Sequence, residues 1–414
     1  MNYKREKTEG CSLVYEVSFE PTAYEIIEKQ AFNEVQKEVL YPGFRKGKVP
    51  YEIIKEHFSQ AVREKVEKIA IGRAVGEIIE RDKIIPVVHP SVYDIKHEIP
   101  SKKLSFKIYF EISPVFEPKG YTDFEIVKRI RKITDKDVAN YIEQIREQNA
   151  YLKSVDAVAS ADKYVVVDYE IYEDGKKVDE VRNEMVDMSS PQQIAGFEEA
   201  IVGAKKGDIK EFETNFDKRR LKFVITVKDV KEKVIPDMDD AMIKQLGAKD
   251  IDDLKNQIRV FLEDEERIKS EKDFIEQIEN KLIENNQFPL PPTLLRQEME
   301  ELFEIAKKRA NLPAEYKLDV KDYEDDLKPI AERNLRISYI LRAISKKENI
   351  KATEDDYLRE VEKMIKNLKN EIEIDKAKAL FESRKGYILA LITENKTMEF
   401  IKSRIKVKEE IVEY

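Results

Sequence analysis

The sequence predicts a multidomain α+β chain: an N-terminal α+β domain with a long helical hairpin, a small antiparallel β domain with one helix, and an all-α C-terminal domain. Three observations carry that expectation. Apolar residues alternate with polar ones near the start and again midway, as in half-buried strands. Beyond about residue 236 they recur at three- and four-residue spacing, as in amphipathic helices. The length of 414 residues allows about three domains at roughly 150 residues each.

Residues 1–112 hold the first domain. Leu13, Tyr15, Val17 and Phe19 alternate with polar neighbours, and Pro21 suits the opening of a helix carrying Ile26, Ile27, Ala31 and Val35. A second helix follows Pro50, with Ile53, Ile54, Phe58, Val62, Val66 and Ile69 on one face. The clearest later strand is Leu104, Phe106, Ile108, Phe110 and Ile112. Residues 113–150 form a connector. Ser113-Pro114 and Glu117-Pro118-Lys119-Gly120 are turns, and Thr134 with Asp137 caps a helix carrying Val138, Tyr141, Ile142 and Ile145.

Residues 151–235 read as strands. Tyr164 to Tyr172 is β-branched and aromatic, Asp174-Gly175 is a hairpin turn, and Leu221, Phe223, Ile225 and Val227 alternate. One short helix falls near Ile194 to Val202. Residues 236–414 are helical. Asp250 with Asp253 opens a helix bearing Ile258, Phe261, Leu262, Ile268, Ile275 and Leu282, which Pro289, Pro291 and Pro292 end. Leu294, Leu295, Met299, Leu302, Phe303 and Ala306 lie on the next, and Ile337, Ile340, Leu341 and Ile344 on another. Thr353 with Asp356 caps a third, and the last runs from about Ala377 to Ile405. No fixed period suggests a solenoid.

Composition narrows the function. Hydrophobic residues at 41% can build real cores, while charged residues at 38% fit solvated helices. A net charge of −9 argues against a general nucleic-acid coat but not against one local basic patch. Cys11 stands alone, so no internal disulfide forms and a reducing compartment is favoured. The charged N-terminus lacks the apolar stretch of a signal peptide, and no run approaches the ~20 apolar residues of a membrane helix. A cytoplasmic protein with no membrane association is expected. His57, His89 and His97 do not join Cys11 at metal-ligand spacing, and with 12 glycines there is no phosphate-binding loop. Neither a metal nor a cofactor is expected.

The most informative segment is Gly43-Phe44-Arg45-Lys46-Gly47-Lys48-Val49-Pro50, between the two N-terminal helices. The glycines permit tight turns with positive φ, and the proline restarts a helix. An apolar ring and three cations are left at a hairpin tip, able to enter a crevice and to meet phosphates or carboxylates. An ordinary basic turn has the same parts, but the full pattern G-F-R-x-G-x-x-P resembles the docking signature of the trigger factor family. The resemblance extends over essentially the whole chain, through Pro236-Asp237-Met238-Asp239-Asp240, Gln245-Leu246-Gly247, Leu290-Pro291-Pro292-Thr293-Leu294-Leu295 and the stretch from Ala331 to Thr353. It implies a ribosome-associated chaperone whose loop binds a protein and adjacent RNA of the large ribosomal subunit beside the exit tunnel. Phe44, Arg45 and Lys46 would dock, with Gly43, Gly47 and Pro50 shaping the loop. Nascent or unfolded polypeptides would be the clients, and self-association of the free protein is left open.

Tyr169, Glu173-Asp174-Gly175-Lys176-Lys177, Asp179 and Ile194-Ala195-Gly196-Phe197-Glu198 resemble an FKBP-type prolyl isomerase. That resemblance implies a pocket of Tyr169, Asp179, Ile194, Phe197 and Phe223, with Phe197 as its floor. Two departures are expected to attenuate activity: Val178 replaces an aromatic wall, and Asn215 to Arg220, through Asp217, is a shortened loop. Client contacts are expected on helices bearing Met299, Leu302, Phe303, Ile340, Leu341, Tyr387 and Leu391, although such stripes are commonly helix–helix core. Two other readings stay open: a dedicated isomerase with substrate-recruiting flanks, and a helical assembly factor that holds folded subunits off the ribosome.

Overall fold

The computed structural model describes residues 1–190, 194–216, 219–310, 318–366, 368 and 370–412. Two segments near the start, β1 (Asn2–Glu9) and β2 (Ser12–Phe19), pair antiparallel. The helices α1 (Pro21–Glu38), α2 (Tyr51–His57) and α3 (Ser59–Asp82) follow, then β3 (Ser91–Glu98) and β4 (Lys103–Glu111). The sheet order is β1-β2-β4-β3. Its register sets Leu13 opposite Phe110, Tyr15 opposite Ile108, Val17 opposite Phe106 and Phe19 opposite Leu104. Both strands therefore bury the same face, as their alternation requires. Tyr24, Ile27, Ala31 and Val35 of α1 and Val62, Val66, Ala70, Ala74 and Ile78 of α3 complete this core. His97, its side chain fully buried, bridges Tyr24 Oη at 2.7 Å and Glu67 Oε1 at 2.8 Å, which ties β3 to both long helices.

Two details differ from expectation. The helix after Pro50 is broken at Phe58, where φ is −126° and ψ is 22°. Its apolar spacing continues across the break through Ile54, Phe58 and Val62, so periodicity gives no sign of it. Strand β1 carries little apolar residue and is mostly exposed; backbone pairing to β2 forms it, and its charges suit a sheet edge.

Farther along come β5 (Glu125–Arg131), α4 (Asp135–Gln148), β6 (Tyr151–Ser154), β7 (Lys163–Glu173) and β8 (Lys176–Asp187). They are followed by α5 (Phe197–Ile201), β9 (Ile209–Phe216) and β10 (Arg219–Val234). The order β6-β10-β7-β8, with β9 also on β10, makes an antiparallel sheet. Asp174 and Gly175 have φ of 48° and 78°, the two left-handed residues of a tight hairpin turn. Thr134 and Asp137 form the expected reciprocal cap of α4, with Thr134 N donating to Asp137 Oδ2 at 2.8 Å.

The remainder is helical: α6 (Asp240–Gln245), α7 (Ile251–Asn285), α8 (Pro292–Arg309), α9 (Glu324–Lys347), α10 (Glu354–Ile365), α11 (Glu371–Ser383) and α12 (Lys385–Arg404), ending in β11 (Lys406–Val412), which pairs with β5. Asp250 accepts from Asp253 N at 2.8 Å, and Thr353 with Asp356 caps α10. The expected single terminal helix is two, divided at Arg384, with Phe381 and Ile388 on either side both directed to Tyr357 and Val361. By contacts the chain forms two compact units, residues 1–128 with 273–408 and residues 129–272 with 409–414. The β7–β10 sheet core and the α4–α7 core lie in the second.

Within the first unit, residues far apart in sequence meet at one seam. Glu111 is 1% exposed. Its Oε1 accepts from Thr293 Oγ1 at 2.6 Å and its Oε2 from Thr293 N at 3.0 Å, at the first turn of α8. Gly10 has φ of +55°, and a Cβ on it would stand 2.8 Å from Pro289 Cβ. The neighbouring Cys11 Sγ donates to Pro289 O at 3.2 Å. Burial, then the charge of Glu111, pushes its thiol up to about 11, so it is an inert structural cysteine. Asn286 extends the seam, accepting from Lys119 N at 2.8 Å and donating to Lys119 O at 2.9 Å, while Phe116 stacks on Phe288 at 4.0 Å.

Thr293→Val would leave the Glu111 charge without its hydroxyl partner, and Glu111→Ala would leave two donors unmet. We expect losses of about 3 and about 2 kcal/mol respectively, read from the urea transition of this unit. Losses below about 0.5 kcal/mol, the size of an ordinary surface change, would refute the importance of this contact.

Candidate functional sites

The segment between α1 and α2 is built from two successive tight turns. Phe44 N donates to Tyr41 O at 3.1 Å and Lys48 N to Arg45 O at 2.9 Å. Gly43 (φ 86°) and Gly47 (φ 79°) each occupy the third position of a turn, where a left-handed residue is needed. Val49 is buried and its carbonyl accepts from Gln36 Nε2 at 2.7 Å, which anchors the loop to α1. Pro50 O then accepts from Ile54 N and starts α2. Phe44 is 41% exposed, its ring 6.3 Å from that of Tyr41. Tyr41 is held by His57 and Phe58 at 5.1 and 6.2 Å. Arg45, Lys46 and Lys48 are exposed. A rigid turn thus presents one aromatic side chain beside three cations.

Nothing lies within 4 Å of a Cβ placed on Gly43 or Gly47. The need for glycine there is torsional and not steric. Gly47→Ala should therefore lower stability by about 1 kcal/mol and Gly47→Asn by less, because Asn tolerates the left-handed region. Equal losses in thermal unfolding would point to a steric origin instead.

In the β domain, four of the five expected pocket residues come together. Phe197 lies 5.2 Å from Tyr169 at 77° and 6.2 Å from Phe223 at 82°, and Ile194 packs on the same cluster. Phe197 and Phe223 are buried, which makes them the floor. Asp179 is not part of the packed cluster, although its charge reaches Tyr169. It is exposed on β8, opposite Ile171, and its Oδ1 accepts from Glu180 N at 2.8 Å. Burial, with smaller contributions from the charges of Glu184 and Asp179, raises the Tyr169 phenol, so it remains a neutral hydrogen-bonding group. Sequence reasoning missed Phe212, which stacks on Phe223 at 5.0 Å and meets Phe197 edge-on at 5.9 Å. The signal was its place on β9 directly opposite Phe223. Gly196, with φ of 88°, leaves room for the Phe212 ring, which a Cβ would approach to 3.4 Å. Val178 is 53% exposed and walls off nothing. β9 and β10 stay paired as far as Phe216 and Arg219; Asp217, expected in the shortened loop, lies outside the described residues.

The expected client residues divide. Ile340 and Leu341 are core, packed with Ile337, Ile344 and Phe274, and Met299 and Phe303 are buried as well. Those four are corrected to covered positions: Ile340 and Leu341 belong to the helical core, and Met299 and Phe303 are buried, with the Phe303 ring flanked by Tyr323 at 5.6 Å and Lys307 at 5.4 Å. Leu302 is partly exposed, and Tyr387 at 66% and Leu391 at 40% face solvent on α12. Leu358 and Met364 on α10 and Ile372 and Leu380 on α11 are exposed apolar side chains as well. Among the described residues no cluster of three or more His, Cys, Asp or Glu could hold a metal ion, and no helix is long and apolar enough to cross a membrane.

A basic aromatic hairpin tip, a small β domain with an aromatic floor and helices bearing outward apolar side chains together have the design of a modular chaperone. Residues 1–145 match the family model for bacterial trigger factor protein, and residues 250–403 match that for its C-terminus. A trigger factor of Geobacillus kaustophilus is 30% identical over 98% of this chain and 100% of its own length. One from Natranaerobius thermophilus is 30% identical, covering 97% and 95%, and one from Solibacter usitatus 27%, covering 96% and 98%. A solved structure from work on substrate recognition by the trigger factor chaperone shares the fold, with a TM-score of 0.51 and 19% identity over 97% of this chain and 99% of that one. The chain belongs to the trigger factor family of ribosome-associated chaperones.

Proposed function

We propose that this chain docks on the large ribosomal subunit through Gly43 to Pro50 and shields emerging polypeptides in the cytoplasm. The observation that carries this reading is the tip itself, where Phe44 and the cations Arg45, Lys46 and Lys48 stand in solvent on a torsionally fixed turn. An aromatic anchor supplies affinity once desolvated, and guanidinium and ammonium groups supply attraction to phosphate or carboxylate. Weak, non-directional burial of client side chains then suffices, because tethering raises the local concentration of the chaperone at the nascent chain. Tyr387 and Leu391, together with the partly exposed Leu302, are the proposed client contacts.

Replacing Phe44, Arg45 and Lys46 together by alanine should weaken co-sedimentation with 50S subunits about a hundredfold, the scale of losing a central aromatic anchor. Suppression of client aggregation should be unchanged. Retained sedimentation would favour an off-ribosome isomerase or assembly factor.

The β domain is proposed to act as an attenuated prolyl isomerase. Its floor of Phe197, Phe212 and Phe223 offers a dry surface for a twisted X-Pro amide, whose rotational barrier comes from amide resonance. Val178, exposed at the position where the resemblance implies an aromatic wall, gives that surface less cover than an aromatic ring would. In a proline-limited refolding assay, Val178→Phe should raise the catalysed rate several-fold, about the gain from restoring one aromatic contact, and Tyr169→Ala should lower it. A rate equal to buffer in every case would mean that the domain is silent.

A further inference from the structure

The core of the β domain is almost wholly hydrocarbon. Among the described side chains packed in it, Tyr169 alone carries an O–H or N–H group. Its ring stands edge-on to Phe197 at 5.2 Å and tilted against Phe223 at 6.0 Å, so the phenol is fixed beside the surface proposed to receive an X-Pro segment. Register places Val181 opposite Tyr169 and Asp179 opposite Ile171. Asp179 spends its Oδ1 on the backbone N–H of Glu180 at 2.8 Å. Among the described residues the Tyr169 hydroxyl has no hydrogen-bond partner, unlike that of Tyr172, which donates to Glu170 Oε2 at 2.7 Å. No polar side-chain atom of the described residues is both buried and unpartnered, so this hydroxyl opens to solvent, where a ligand can reach it. Burial, then the charges of Glu184 and Asp179, hold its proton in place at neutral pH.

An X-Pro amide resists rotation because its nitrogen lone pair is delocalised into the carbonyl. In the planar form that nitrogen accepts no hydrogen bond. As the bond turns toward perpendicular the lone pair returns to nitrogen, and a donor standing there binds the transition state without binding the ground state. An ionised carboxylate only accepts, so Asp179 cannot serve; a neutral phenol can. We propose that the Tyr169 hydroxyl donates to the prolyl nitrogen while the amide is twisted, which makes it a catalytic group in its own right and not only a ring in the pocket. No covalent bond forms or breaks, and the proton stays on the phenol oxygen, which exchanges a water partner for the nitrogen lone pair. The inference rests on the isomerase reading above and adds to it the atom that acts on the reacting bond.

The test uses the full-length protein and a blocked Ala-Phe-Pro-Ala peptide, with cis–trans exchange followed by NMR over a range of peptide concentrations to give kcat and KM. Tyr169→Phe keeps the ring and removes only the hydroxyl. Its kcat should fall about tenfold, the scale of one hydrogen bond made in the transition state, while KM stays within about twofold. Thermal unfolding should be unchanged, because the hydroxyl has no internal partner to lose. Tyr172→Phe, which deletes a hydroxyl from the other face of the same strand, should keep the wild-type kcat. A rise in KM at constant kcat would mean that the hydroxyl serves ground-state binding, and a lower melting temperature for Tyr169→Phe would expose a structural bond. Either result overturns the assignment, as do equal losses in the two variants. Catalysis by Tyr169→Phe equal to wild type would overturn this role alone and leave the isomerase reading standing. Absence of catalysed exchange in the wild-type protein would overturn both.

Discussion

Glu111 keeps a carboxylate where almost no water reaches it, and both of its oxygens are met by Thr293 at the start of α8. A charge in that position is costly unless hydrogen bonds and a favourable dipole answer it, and a helix N-terminus provides both. Around this contact the seam is dry and close: Gly10 admits Pro289, Cys11 is bonded to its carbonyl, and Asn286 holds the connector at Lys119. The N-terminal sheet and the α8–α9 helices are thereby made one unit, and the tip loop is carried by a body instead of a free domain.

The proposed functional side chains sit where packing ends. The tip presents Phe44 because Val49 and Tyr41 are held behind it, and the helical region presents Tyr387 and Leu391 because Ile388 between them is buried. The same logic explains the β domain. Phe197 is fixed from several sides by Tyr169, Phe212 and Phe223, which makes it a firm floor for the proposed pocket, while Val178, proposed to stand where a wall would be, is exposed.

Much of this was legible in the residues. Alternation placed β2 and β4 and their shared face, and the caps at Thr134 and Thr353 were read from Thr-x-x-Asp spacing alone. Periodicity failed where it is blind. It continued unbroken through Phe58 and across Arg384, where the helices break, and it could not tell the stripe of Ile340 and Leu341, which is core, from that of Tyr387, which is surface. Strands β1 and β11 escaped because pairing, not side-chain pattern, makes them. Phe212 became visible only through its register with Phe223. The seam was invisible for a simpler reason: nothing local in Glu111 announces a partner 182 positions away.

That separation imposes an order of events on the chain's own synthesis. The first 111 residues contain their own hydrophobic core and can collapse as soon as β4 is made. Glu111 must then wait in water until α8 emerges, because contacts this distant in sequence form late. A protein proposed to guard unfinished chains is itself unfinished for most of its translation, with Cys11 and the apolar rim around Pro289's berth uncovered throughout.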